Sequence, residues 1–180
     1  LWNIIQKMTQ AIILAAGQGG RLLPYTKNIP KALIKIGKKS IIEYQIEALN
    51  SVGIKDIIIV VGYKVHKIKS VLGKKVEYVQ NKNFSKTNNL YSLFCALPKI
   101  NNEFIVSMGD SIFHPLIFKK LLNSKNPITT MADNNRNLDE ESVKVKINTH
   151  YLKDIGRDIS HKYANGEFLA LTKFEGKGVK

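Results

Sequence analysis

A continuous apolar run, Ala11-Ile12-Ile13-Leu14-Ala15, leads straight into Gly17-Gln18-Gly19-Gly20-Arg21. Five apolar residues with no polar alternation read as a strand buried on both faces, the usual state of a central strand in a parallel sheet. Glycines at its exit let the backbone approach a ligand and aim successive N–H groups at anionic oxygens. Arg21 adds a planar fork suited to phosphate oxygens, and Lys31, in Pro30-Lys31-Ala32-Leu33, adds a mobile point charge. Together these residues describe a cradle for a polyphosphate.

The rest of the chain supplies the partners such a strand needs. Residues 16–39 read as a long loop. Ser40-Ile41-Ile42-Glu43 fits a capping box opening a helix to about Ser51, with Gly53 at its exit. Asp56 to Val61 reads as a second buried strand, Tyr63 to Leu72 as a helix and Val76 to Val79 as a third strand. Asn88 or Asn89 caps a further helix that is expected to bury Leu90, Leu93, Phe94 and Leu97. Glu103 to Met108 is a fourth strand ending in Gly109-Asp110. Pro115 to Asn123 reads as a helix, Pro127 to Ala132, Ser142 to Ile147 and Phe168 to Phe174 as strands, and 133–141 as a polar turn. Alternating strands and helices imply an α/β fold with a mostly parallel central sheet, whose ligands bind beyond the carboxyl ends of the strands.

Composition narrows the function further. The 180 residues suit one domain, and 44% apolar content excludes wholesale disorder. No stretch approaches the ~18 apolar residues that span a bilayer, so membrane insertion is not expected. One cysteine, Cys95, excludes an internal disulfide and points to a reducing cytoplasm. The net charge is +14, with lysine supplying 25 of 28 basic residues beside 23 Ile and 16 Asn. These types share A/T-rich codons, and the lysines are scattered as pairs such as Lys38-Lys39 and Lys74-Lys75, the pattern of solvated faces. A basic helix, an aromatic platform or a zinc motif is missing, which argues against nucleic acid as a partner. His66, His114, His150 and His161 lack metal-ligand spacing.

Two common glycine motifs fail. A P-loop needs Gly-Lys-Ser/Thr at a place where Leu22 follows Gly17 by five residues, and the dinucleotide fingerprint needs a third glycine there. What fits is different. Leu14-Ala15-Ala16-Gly17-Gln18-Gly19-Gly20-Arg21-Leu22-Leu23-Pro24-Tyr25-Thr26, with Pro30-Lys31-Ala32-Leu33, resembles the opening of the sugar-phosphate nucleotidyltransferase superfamily. Gln80-Asn81 and Asn88-Asn89-Leu90-Tyr91-Ser92-Leu93 look most like its cytidylyltransferases acting on choline phosphate and inositol phosphate.

The resemblance implies a Rossmann-like three-layer fold and a reaction. A phosphomonoester or phosphonate attacks the α-phosphate of a nucleoside triphosphate, CTP being favoured, and pyrophosphate leaves. Arg21 and Lys31 are the catalytic candidates, Lys31 also holding the incoming phosphate, and Asp110 is the candidate Mg²⁺ ligand. Leu14, Ala15, Ala16, Gly17, Gly19, Gly20, Arg21, Gln80, Asn88, Asn89 and Ser92 are the expected nucleotide contacts, and Glu167 the expected acceptor contact. A sugar-1-phosphate enzyme using UTP, dTTP or GTP and a non-catalytic nucleotide-binding module are the alternatives, and homo-oligomerisation stays open. The chain departs from the family pattern in stopping at Lys180, before a second metal-binding aspartate. The expectation is one nucleotidyltransferase domain over residues 8–180, incomplete at its C-terminus, with 1–7 as an extension. Trp2, the only tryptophan, falls in that extension, so no aromatic box for a choline head is evident.

Overall fold

The computed structural model describes residues 9–101, 103–134 and 137–179. The expected extension 1–7 lies outside the described residues. In chain order the elements are β1 (Gln10–Ala15), a short hairpin of β2 (Lys35–Ile36) and β3 (Lys39–Ser40), α1 (Ile41–Ser51), β4 (Ile57–Val61), α2 (Val65–Leu72), β5 (Glu77–Gln80), α3 (Asn89–Ala96), β6 (Phe104–Met108), α4 (Pro115–Leu122), β7 (Ile128–Asp133), β8 (Lys144–Asn148), β9 (Tyr151–Gly156) and β10 (Gly166–Phe174).

One eight-stranded sheet organises them, in the order β5-β4-β1-β6-β10-β8-β9, with β7 also paired to β10. The four strands β5, β4, β1 and β6 run parallel. β10 turns antiparallel against β6, β7 and β8 and builds a flank outside the parallel centre. β9, which the sequence reading did not separate from its surroundings, pairs antiparallel with β8. Its residues are mostly exposed, so it lacks the apolar alternation that would mark it.

β1 is buried along its whole length. Ala11, Ile13 and Ala15 face one core with Ile57, Ile59 and Val61 of β4, and α1, α2 and α4 cover it with Ile42, Leu49, Ile68, Phe118 and Leu121. Ile12 and Leu14 face the other core with Ile58 and Val60, under Ala96 of α3. This is the two-sided burial that the apolar run requires.

The α3 face differs from the sequence reading. Ser92 and Ala96 turn inward, while Leu90, Phe94 and Leu97 are exposed and Leu93 is half-buried. Close approach to the sheet favours the small residues, and a buried hydrogen bond from Asn81 Nδ2 to Ser92 Oγ, 3.0 Å, fixes the helix rotation. An apolar i, i+3, i+4, i+7 stripe identifies a helix but not which side meets the sheet.

The capping box at α1 is present: Ser40 N and Ser40 Oγ both donate to Glu43 Oε2, at 2.8 and 2.6 Å. These bonds, the hydroxyl's first and the backbone's second, hold the Glu43 carboxyl below its ordinary 4.5.

Two outcomes follow from this packing. Ala96→Leu should destabilise the fold by about 1–3 kcal/mol, whereas Phe94→Ala should stay within about 0.5 kcal/mol, both read by urea unfolding. A larger loss from Phe94→Ala would mean that the stripe is buried after all. Because the folded pKa of Glu43 is depressed, its stabilisation is complete above pH 4.5 and lost as pH falls through the folded value. Thermal unfolding between pH 7 and 3 should therefore show a smaller acid-induced drop in Tm for Glu43→Gln than for wild type.

Candidate active site

The carboxyl ends of β1 and β6 lie side by side, and a cleft of about 580 Å³ opens beyond them. Leu14, Ala15, Gly17, Gly19, Gly20 and Arg21 line it from the first strand and loop, and Met108, Gly109 and Asp110 from the other strand. Lys31 and Ala32 close one side, and Asn89 reaches it from the first position of α3.

The loop is held by its own backbone and by Thr26. Leu22 N donates to Gly19 O at 3.0 Å, and the buried Thr26 Oγ1 donates to the same oxygen at 2.8 Å. Gly19 has φ +72°, the left-handed region that favours glycine, and a Cβ there would meet Lys31 Cβ at 3.0 Å. Gly109 is needed for a different reason: a Cβ there would sit 2.8 Å from Ala15 Cβ. Its absence lets the β6 exit close on the β1 exit, where Gly109 N donates to Leu14 O at 2.9 Å.

The cationic groups of the cleft each sit on a carboxylate. Lys31 Nζ donates to Asp110 Oδ2 at 2.6 Å, with both side chains about a third exposed. Arg21 Nη1 donates to Glu141 Oε2 at 2.7 Å, and Arg157 Nη2 lies 3.8 Å from that oxygen. The Arg21 and Glu141 side chains are 76% and 71% exposed, so the pair is worth at most about 1 kcal/mol and exchanges readily for another anion.

Of the residues singled out from sequence, Leu14, Ala15, Gly17, Gly19, Gly20, Arg21, Lys31, Asn89 and Asp110 share this cleft. Five do not line it. Ala16 is buried under the second core. Gln80 ends β5 at the surface. Asn88 caps α3, its Oδ1 accepting from Tyr91 N at 3.1 Å. Ser92 is committed to Asn81. Glu167 lies in β10, opposite Asp133 and Lys144. Glu141 is not among the residues that the sequence singles out. Only folding brings Glu141 from residue 141 to Arg21, and no local pattern marks it.

The profile of the MobA-like NTP transferase domain matches residues 11–151. The chain belongs to that family. The match places it within the sugar-phosphate nucleotidyltransferase superfamily. A CTP:phosphoglutamine cytidylyltransferase of Campylobacter jejuni is 31% identical over 182 residues, covering 91% of this chain and 72% of the relative. A choline-phosphate cytidylyltransferase of Streptococcus pneumoniae is 40% identical over 116 residues, covering 64% of this chain and 51% of that protein, about half its length. The solved inositol-1-phosphate CTP transferase from T. maritima superposes with a TM-score of 0.81 at 27% identity, covering 95% of this chain and 72% of that one. The architecture is thus the nucleotidyltransferase fold.

The glycines of this family loop are separable by experiment. Gly19→Ala should cost about 1–2 kcal/mol of stability, because it forces a left-handed side-chain residue. A Cβ at Gly17 meets nothing within 4 Å, so Gly17→Ala should leave Tm unchanged. Thermal unfolding of the two variants checks the contrast.

Proposed function

We propose that this protein is a Mg²⁺-dependent cytidylyltransferase that moves CMP from CTP to a small phosphorylated alcohol or phosphonate and releases pyrophosphate. One observation carries the reading: the glycine loop, Arg21, Lys31 and Asp110 converge on one cleft at the carboxyl ends of β1 and β6. The relatives named above, which run longer than this chain, act on CTP with phosphorylated partners, and that supports the nucleotide and the acceptor class. We also take the cytoplasm as its place of action, on its single cysteine.

An oxygen of the acceptor phosphate attacks the α-phosphorus as the bond to the α–β bridging oxygen breaks. That oxygen leaves on pyrophosphate. The attacking group is already anionic near neutral pH, so no general base is required. The obstacle is the meeting of two anions, and the remedy is positioning and charge neutralisation. Backbone N–H groups of the Gly17–Gly20 loop receive the triphosphate. Arg21 exchanges Glu141 for phosphate oxygens and offsets charge that develops on the leaving group. Lys31, at the mouth of the cleft, draws the acceptor phosphate towards the α-phosphate.

The donor set suits Mg²⁺, which keeps several waters and takes one or two carboxylates with phosphate oxygens, and Asp110 supplies a carboxylate at the cleft. Among the described residues no cluster of three or more His, Cys, Asp or Glu side chains is placed to hold a metal, so phosphate oxygens and water would complete the set. When bound, the ion would neutralise phosphate charge.

Pyrophosphate release should appear with CTP, Mg²⁺ and at least one member of a panel holding phosphocholine, inositol 1-phosphate, phosphoglutamine and 2-aminoethylphosphonate. UTP, dTTP and GTP should give much less. Arg21→Ala, Lys31→Ala and Asp110→Ala should each lower kcat/KM by about 10²-fold or more. Turnover of sugar 1-phosphates with UTP, dTTP or GTP in preference to CTP would sink the cytidylyl assignment. Nucleotide binding without turnover of any acceptor would sink the enzyme.

A further inference from the structure

Gln45 lies on α1 with its residue wholly buried, among the apolar side chains that cover the sheet. A primary amide there has two donors and an acceptor oxygen to satisfy. Nε2 donates to Met108 O at 2.6 Å and to Ser111 O at 2.5 Å. Oε1 accepts from Ser107 Oγ at 2.9 Å. All three partners belong to β6 or to the turn that leaves it, and the two carbonyls stand on either side of Gly109 and Asp110.

This arrangement has a direction. The two carbonyls can only accept, so the amide must face its nitrogen to them and its oxygen to the Ser107 hydroxyl. Turned over, it would set its oxygen against both of them. The turn carrying Asp110 is thus tied from the helix side by Gln45, and from the neighbouring strand by Gly109 N to Leu14 O. A carboxylate at the end of a strand is useful only if its backbone keeps one conformation, because a small displacement of a binding group costs much of its effect.

We propose that Gln45 is a positioning residue for Asp110: its buried amide clamps the Met108–Ser111 turn so that the carboxylate faces Lys31 and the metal–nucleotide. The inference rests on the reading of Asp110 as the carboxylate that serves the nucleotide's Mg²⁺. Gln45 itself does not touch the substrate. It acts on a metal ligand through the backbone, as outer groups around metal sites do through hydrogen bonds.

The test is Gln45→Met, which keeps the length of the side chain and removes the donor. CTP is titrated calorimetrically into wild type and variant, once with Mg²⁺ and once with EDTA, and the Mg²⁺ dependence of pyrophosphate release is measured alongside. The variant should lose about ten-fold in CTP affinity with Mg²⁺ and need about ten-fold more Mg²⁺ for half-maximal rate, with affinity in EDTA within about two-fold of wild type. On an Asp110→Asn background Gln45→Met should add nothing further, because both changes remove one function. Ser107→Ala keeps the amide and its two carbonyl partners but leaves Oε1 without its donor, which loosens the clamp, and should shift the same quantities in the same direction by less. It carries the test alone if thermal unfolding shows that Gln45→Met does not fold. Three results overturn the inference: an unchanged Mg²⁺ dependence in a folded variant, equal loss of affinity with and without Mg²⁺, or full additivity with Asp110→Asn. A wild type whose CTP affinity gains nothing from Mg²⁺ removes the role of Asp110 and this inference together. A wild type that responds while the folded variants respond equally removes only the inference.

Discussion

A strand buried on both faces can shed no backbone polar group to water, so both of its edges must be paired. β1 meets this with a parallel partner on each side, β4 along Ala11–Ala15 and β6 along Gln10–Leu14. Pairing in register fixes where the strand stops relative to its neighbours. Leu14 ends up opposite Met108, so the glycine loop and the Gly109-Asp110 turn leave the sheet at the same height. The cleft is a consequence of that register. A slip of one residue would turn Ile13 from one core to the other and move Asp110 away from the loop.

The close approach of the two exits then sets a demand on each side chain near them. Gly109 leaves room for Ala15, and Ala15 is itself small. On the α1 side of the sheet, the buried amide of Gln45 takes a place that an apolar side chain would otherwise fill. A polar group in that position is expensive unless fully bonded, and here its three bonds all go to one short segment. The arrangement spends a core position on the geometry of a turn.

How much of this could be read from the sequence depends on the range of the interaction. The strand, the glycine loop and the Arg21 and Lys31 spacing are local, and each sits where the sequence placed it. The α1 cap is local too, since Ser40 and Glu43 are three residues apart. Three features depended on tertiary context. The apolar stripe of α3 marked a helix, but Asn81 and Ala96 decided which face the sheet received. β9 is a strand through its pairing with β8 rather than through its own pattern. Nothing local marks Gln45, because its partners lie 62–66 residues away.

The charge of +14 takes on a narrower meaning in this light. Arginine is rare, three residues against 25 lysines, and two of the three, Arg21 and Arg157, gather on one carboxylate at the cleft mouth. Lys31, the cleft's lysine, rests on Asp110. Most of the positive charge at the cleft is therefore already paired without ligand. In the proposed reaction an arriving triphosphate would compete with Glu141 for Arg21, and a metal at Asp110 would compete with Lys31. Both exchanges are between partly exposed partners in high dielectric, so neither opposes binding by much. On the proposed function, each carboxylate would hold a cationic side chain at the cleft until phosphate took its place. The scattered lysines outside the cleft play no part in that exchange.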